Sequence, residues 1–167
     1  MGQFAVLIVP PATDMAQVES VRRRFDPLAE AVPAHVTLVF PFEHEVIDGA
    51  LVGHVDDVAR GTLAFDLAMT ALTCSRDHFL FLVVDQGAHQ VRDLHDRLYT
   101  GLVRPLLSDL EFTPHVTLGR FDTADQCAAA MSAIEPMNIR VRTRAMSLRI
   151  YDLNRMPYQV AYELRFS

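Results

Sequence analysis

The tetrapeptide His-Val-Thr-Leu occurs twice, at 35–38 and at 115–118, with a proline just ahead of it each time (Pro33, Pro114). An exact repeat of this kind, in a chain holding only seven histidines, implies internal duplication, which constrains the fold more than any single segment can. The surroundings repeat in the same order. An apolar run of strand length, FAVLIV at 4–9, is matched by FLFLVV at 79–84, and both are expected to be buried strands. Helical periodicity follows each run, over 14–24 with Val18 and Val21 on one face, and over 88–102 with Val91, Leu94 and Leu98 on one face. Thr13 and Gly87 are the expected helix starts. The motif strand then closes the unit.

Beyond each motif the order continues in parallel. A helical stretch is expected at about 45–60 and again at 123–135, followed by a longer strand at 63–73 and again at 138–151. Turn-forming residues at 75–77 and 152–157 introduce hairpins to the strands at 79–84 and 158–166. The simplest architecture is α+β: two β-α-β-α-β units, about 3–74 and 78–151, with a closing strand at about 157–166, forming one domain over 1–167. The strand at 79–84 closes the first hairpin and opens the second unit, which interlocks the two. No Gly/Ser- or Pro-rich linker separates them.

Side chains at i and i+2 of a strand share a face, so His35 projects with Thr37 and His115 with Thr117, while the intervening valines and leucines face a core. If the units pack about a pseudo-twofold axis, two imidazoles and two hydroxyls converge on one volume. Phosphodiester chemistry requires that set: a base for the attacking oxygen, and an acid for the departing one on the other side of phosphorus. Free imidazole titrates near ~6.5, so one ring can be neutral and the other protonated at neutral pH. Hydroxyls supply donors to the non-bridging oxygens, and neither a metal nor another cofactor is called for. Arg120, at the end of the second motif strand, is a candidate phosphate contact, although strict alternation places it on the face opposite His115. Phe42 is a candidate to stack on a base at the cleft rim. His44, His54, His78, His89 and His95 read as surface or packing residues, and Arg22, Arg23 and Arg24 as a solvated helix face.

Composition narrows the substrate. The formal charge is −6, so no overall positive field draws the chain to long nucleic acid. All fifteen basic residues are arginine, which excludes Schiff-base and P-loop lysine chemistry. Glycine-rich phosphate loops, GxSxG and HExxH are absent from the sequence. Cys74 and Cys127 form neither a CxxC pair nor a zinc set and are expected to be buried thiols in a reducing compartment. The N-terminal segment lacks a basic region and its apolar run is short, so the expectation is a cytoplasmic protein with no membrane association.

The segments VPAHVTLVFPF and FTPHVTLGRF resemble the two signature segments of the 2H phosphoesterase superfamily, and the first especially resembles its bacterial 2′-5′ RNA ligase-like branch. The resemblance covers essentially the whole chain. It implies a bilobal α+β fold with two antiparallel sheets facing a central cleft and helices outside. It also implies catalytic roles for His35 and His115, phosphate-binding roles for Thr37 and Thr117, and an arginine five residues after the second motif histidine, which is Arg120. The acidic composition departs from a grip on tRNA, so the expected substrate is a nucleotide or short RNA phosphodiester, above all a 2′,3′-cyclic phosphate, taken by a monomer. The alternatives are reversible 2′-5′ RNA ligation, and a nucleotide-binding module without catalysis.

Overall fold

In the computed structural model, which describes residues 1–45, 47–107 and 111–167, the elements are β1 (Gly2–Ile8), α1 (Ala16–Phe25), β2 (Val36–His44), α2 (Gly49–Arg60), β3 (Phe65–Cys74), β4 (Phe79–Val84), α3 (Ala88–Leu98), β5 (His115–Arg120), α4 (Ala124–Ile134), β6 (Val141–Ala145), β7 (Ser147–Asp152) and β8 (Gln159–Arg165). Residue 46, within the stretch 45–60 expected to be helical, lies outside the described residues. Helix starts follow local chemistry. The Asp48 carboxylate accepts from the Leu51 amide, and the Thr123 hydroxyl from the Gln126 amide, each satisfying a first-turn donor. Gly87 precedes α3 as expected, with φ of 85°; a Cβ there would lie 2.6 Å from the Asp66 carbonyl, so only glycine suits. Thr13 does not start α1. It sits in a 3₁₀ turn, Ala12–Asp14, and the helix begins after Met15.

The strands form one antiparallel sheet in the order β6-β3-β4-β5-β2-β1-β7-β8. Two separate sheets were expected. Instead two four-stranded halves, β2-β1-β7-β8 and β5-β4-β3-β6, join edge to edge through β2 and β5 at one registered pair, Val36 with Val116. That junction pairs two strand edges that would otherwise expose unsatisfied amides and carbonyls. The single strand expected over 138–151 is broken at Met146: β6 pairs with β3, and β7 crosses to pair with β1. Each half thus contains strands from both ends of the chain.

Helices cover one face. Val18 and Val21 of α1, Leu51, Val55 and Val58 of α2, Val91, Leu94 and Leu98 of α3, and Cys127, Ala130 and Ile134 of α4 share a single core with alternate strand residues such as Val36, Leu38, Val116 and Leu118. Here α1 packs on β5 while α3 packs on β2, so each half is covered by a helix that follows a strand of the other. The opposite face carries a small cluster, in which Val32 and Leu28 from the loop after α1, with Leu153 and Tyr158, cover Ala5, Leu7 and Tyr151. Among the described residues no helix is long and apolar enough to cross a membrane.

Cys74 and Cys127 are not free thiols. Packing of α4 on β3 brings them together as a disulfide, with Cα atoms 6.2 Å apart. The sequence could not show this, because the residues are 53 positions apart and only the tertiary packing makes them neighbours.

Candidate active site

Val36 pairs with Val116, and these are the same position of the two motifs. The pseudo-twofold axis therefore passes between them. The strands run antiparallel through this pair, so each motif's histidine lies on the same side of it as the other motif's threonine, and His115 is near enough to His35 to act on its charge. All four side chains are half-buried on the sheet face away from the helices. The sequence-predicted quartet is thereby brought together.

The imidazoles are held alike. Nδ1 of His35 lies 2.7 Å from the Pro33 carbonyl, and Nδ1 of His115 lies 2.6 Å from the Thr113 carbonyl. A carbonyl only accepts, so each Nδ1 carries the proton and donates. In the neutral ring Nε2 is then an acceptor, and in the imidazolium a donor. Each motif uses the carbonyl two residues before its histidine to set the tautomer.

Charge on the rings differs from the expectation of one neutral and one protonated imidazole. Burial pulls His35 down from 6.5 to about 4; the Pro33 carbonyl and Asp26 work against this, and Arg22 and His115 add to it. Burial also lowers His115, against the pull of the Thr113 carbonyl. Both rings are neutral near pH 7 in the unliganded protein, because desolvation penalises the imidazolium and no carboxylate bonds to either ring strongly enough to offset it.

The neighbours are aromatic on one side and ionic on the other. Opposite β5, Phe81 is registered with Thr117 and Val83 with His115. The Phe81 ring stacks on His115 with centroids 3.5 Å apart, and Phe79 stacks on Phe81 at 6.2 Å. The FLFLVV run was expected to be wholly buried. Only Leu80, Leu82 and Val84 are; Phe79, Phe81 and Val83 alternate onto the site face. The missed signal was the period of two in the aromatic positions.

Arg120 reaches the site face. Leu80 pairs with Gly119 but Phe81 with Thr117, so β5 carries one extra residue there, a bulge that reverses the alternation. The Arg120 guanidinium consequently lies 5.2 Å over the Phe79 ring. Gly119 is required because a Cβ would come 2.7 Å from the Phe25 Cβ. The Arg120 Nε is also 3.6 Å from Asp26 Oδ1.

Two expectations fail. Phe42 is not a rim residue: it is 6% exposed, registered with Phe4 and packed against that ring. Two register shifts between β1 and β2 return it to the phase of Val36, on the core face, and leave Phe40 exposed instead. Arg22 is not solvated: it is 1% exposed, with Nε and Nη2 donating to Asp26 and Nη1 to Glu19 and the Val32 carbonyl. A triple-arginine run carried no sign of which member turned inward.

Two of the remaining histidines make structural contacts. His95 is buried against Tyr99 and Phe112, and His54 donates from Nε2 to the Leu98 carbonyl. Among the described residues no group of three His, Cys, Asp or Glu side chains is placed to hold a metal ion.

Twin His-x-Thr strands joined about a twofold, with helices behind and the four motif side chains in front, define a two-histidine α+β protein. The chain belongs to the 2′-5′ RNA ligase superfamily, whose family model matches residues 9–155; these are phosphoesterases of the 2H type. Among curated relatives, a Halalkalibacterium halodurans protein named provisionally as a phosphoesterase is 28% identical over 144 residues, covering 82% of this chain and 81% of its own. A protein of Geobacillus thermodenitrificans, named in the same provisional way, is 25% identical over 123 residues, covering 71% and 69%. Among solved structures, a phosphoesterase crystal structure superposes with a TM-score of 0.69 at 18% identity over 99% of this chain and 98% of its own. E. coli LigT complexed with 3′-AMP does so with a TM-score of 0.66 at 17% identity, over the same shares. At such identities the structural likeness shows the fold.

Proposed function

We propose that this protein hydrolyses a 2′,3′-cyclic phosphate, or a similar phosphodiester, on a nucleotide or short RNA end, without a metal ion. The observation that carries the reading is the Val36–Val116 pairing, which sets two identically held imidazoles diagonally across one face, each beside a threonine. In the reaction Nε2 of one neutral histidine takes a proton from water as the oxygen attacks phosphorus. The bond from phosphorus to a ribose oxygen breaks, and Nε2–H of the other ring protonates that leaving oxygen. The acid must be protonated although both rings are neutral in the unliganded protein. The substrate's own negative charge answers this: a phosphodiester anion beside an imidazole favours the imidazolium. Thr37, Thr117 and Arg120 are the donors to the non-bridging oxygens. That the LigT structures include complexes with 3′-AMP and ATP supports a nucleotide in this cleft.

The alternative is reversible 2′-5′ RNA ligation by the same residues, in which a ribose 5′-hydroxyl replaces water as the nucleophile on the cyclic phosphate. The bond from phosphorus to the 3′-oxygen breaks and the acid histidine protonates that oxygen; the name of the family favours testing it alongside. The deciding experiment is a product assay on nucleoside 2′,3′-cyclic phosphates, with 2′- and 3′-phosphates resolved, on wild type, His35→Ala and His115→Ala. Each substitution is expected to lower kcat by about 10²–10⁴-fold, with wild-type activity surviving EDTA. The product isomer assigns acid and base. Turnover in either variant equal to wild type eliminates the mechanism.

A further inference from the structure

The two motifs are identical over four residues and then diverge: Val39 stands where the second motif has Gly119, and five positions after each histidine Phe40 stands where the second motif has Arg120. One side of the pseudo-twofold therefore carries a guanidinium that the other lacks. Arg120 is 43% exposed, and a long side chain at that exposure ordinarily samples many rotamers. What stands behind it is unusual. Asp26 Oδ2 receives Arg22 Nε at 3.1 Å and Nη2 at 3.0 Å, and Oδ1 receives the Leu28 amide at 3.0 Å. Arg22 Nη1 reaches both Glu19 oxygens, and Glu19 accepts from the Ala34 amide. Asp26, Glu19 and Arg22 together carry one uncompensated negative charge. Its outlet is Asp26 Oδ1, 3.6 Å from Arg120 Nε.

We propose, resting on the phosphoesterase reading above, that Asp26 is the positioning residue for Arg120. Locked by buried Arg22, the Asp26 carboxylate holds the guanidinium over Phe79 so that its two terminal nitrogens fork onto the substrate phosphate. The contact engages Nε, and the Nη pair is the part of the fork suited to two non-bridging oxygens. The same struts tie α1 to the Val32 and Ala34 backbone just ahead of His35. One buried ion cluster thus sets the arginine of the second motif against the loop of the first. Asp26 acts through Arg120 and does not itself touch substrate.

The test is steady-state kinetics on a nucleoside 2′,3′-cyclic phosphate for wild type, Asp26→Asn, Arg120→Ala and the double variant. Asn is isosteric and retains an oxygen for Arg22. Asp26→Asn is expected to raise KM by about tenfold with kcat within about twofold, the signature of lost substrate binding. In the Arg120→Ala background the same change is expected to leave KM unchanged, because the influence of Asp26 that remains there is on the charge of His35. An equal loss in both backgrounds, or a fall in kcat with KM unchanged, overturns the proposal. A second measurement needs neither variant nor substrate: ¹⁵N relaxation of the Arg120 Nε resonance in the wild-type protein, expected to be ordered. Relaxation as fast as that of a freely rotating arginine side chain also overturns it. Wild-type inactivity on cyclic phosphates, with no binding of inorganic phosphate, instead removes the functional reading and leaves the Nε measurement to judge the Asp26–Arg120 contact.

Discussion

Val36 and Val116 pair across the junction of β2 and β5, so the pseudo-twofold axis runs through the centre of the site. Each histidine consequently lies on the same side of the junction as the other motif's threonine, and a phosphate seated there would meet groups from both halves of the chain. The candidate site is the junction itself, and neither half alone contains it.

The ionisation of the pair is testable without substrate. In the free protein the His35 imidazole is expected to titrate near 4 and His115 below 6.5, followed through the ring Cε1–H resonances. Added inorganic phosphate should move at least one inflection upward, since the anion favours imidazolium. Because the folded pKa of His35 lies below its unfolded value, the unfolded chain binds more protons between the two. Its contribution to stability is fully present above about 6.5, falls as the pH drops, and is lost below about 4. His35→Gln should therefore flatten the acid limb of a Tm against pH curve across that window; an unchanged limb contradicts the burial argument.

Phe81 shields His115. Replacing it with alanine removes the ring stacked at 3.5 Å and admits water, so the His115 pKa should rise toward 6.5, and kcat for the cyclic phosphate should fall by about tenfold as the ring loses its fixed orientation. NMR titration and kinetics on the same variant check both. A His115 pKa that stays where it is would show that the sheet, and not the phenyl ring, keeps water out.

Gly119 sets the bulge that aims Arg120. A Cβ there meets Phe25 at 2.7 Å, so Gly119→Val should destabilise the protein by about 1–3 kcal/mol through overpacking and raise KM by displacing Arg120. Thermal melts and steady-state kinetics give the two numbers. A raised KM with an unshifted Tm would mean that α1 yields to the new side chain.

The disulfide closes a long loop. With Cys74 and Cys127 separated by 53 positions, chain-entropy arguments give about 4 kcal/mol of stabilisation, so reduction should lower Tm by several degrees. Since the bond lies at the end of β3, on the helix side of the sheet, activity below the transition should be unchanged. Thiol titration before and after reductant, with parallel melts, measures both effects, and two reactive thiols in the unreduced protein would contradict the pairing.

Local chemistry written into the chain was legible from the start. The duplicated tetrapeptide named four site residues, their period of two placed each threonine with its histidine, and helical periodicity located α1 through α4 to within a few residues. These are properties of neighbours along the chain, governed by backbone geometry that no distant contact alters. Tertiary structure decided everything that depends on which strands meet. It joined the two expected sheets at Val36 and Val116, split 138–151 between two halves, closed Cys74 onto Cys127, and turned Phe42 inward and Arg120 outward through single-residue bulges. A bulge changes a side chain's face without changing the sequence pattern, and burial of Arg22 depends on a carboxylate placed by the turn of α1. The sequence by itself therefore determined which groups are the candidates for the chemistry. Only the packing determined their protonation, their partners and the face on which Arg120 lies, because desolvation, charge pairing and strand register are set by distances across the fold.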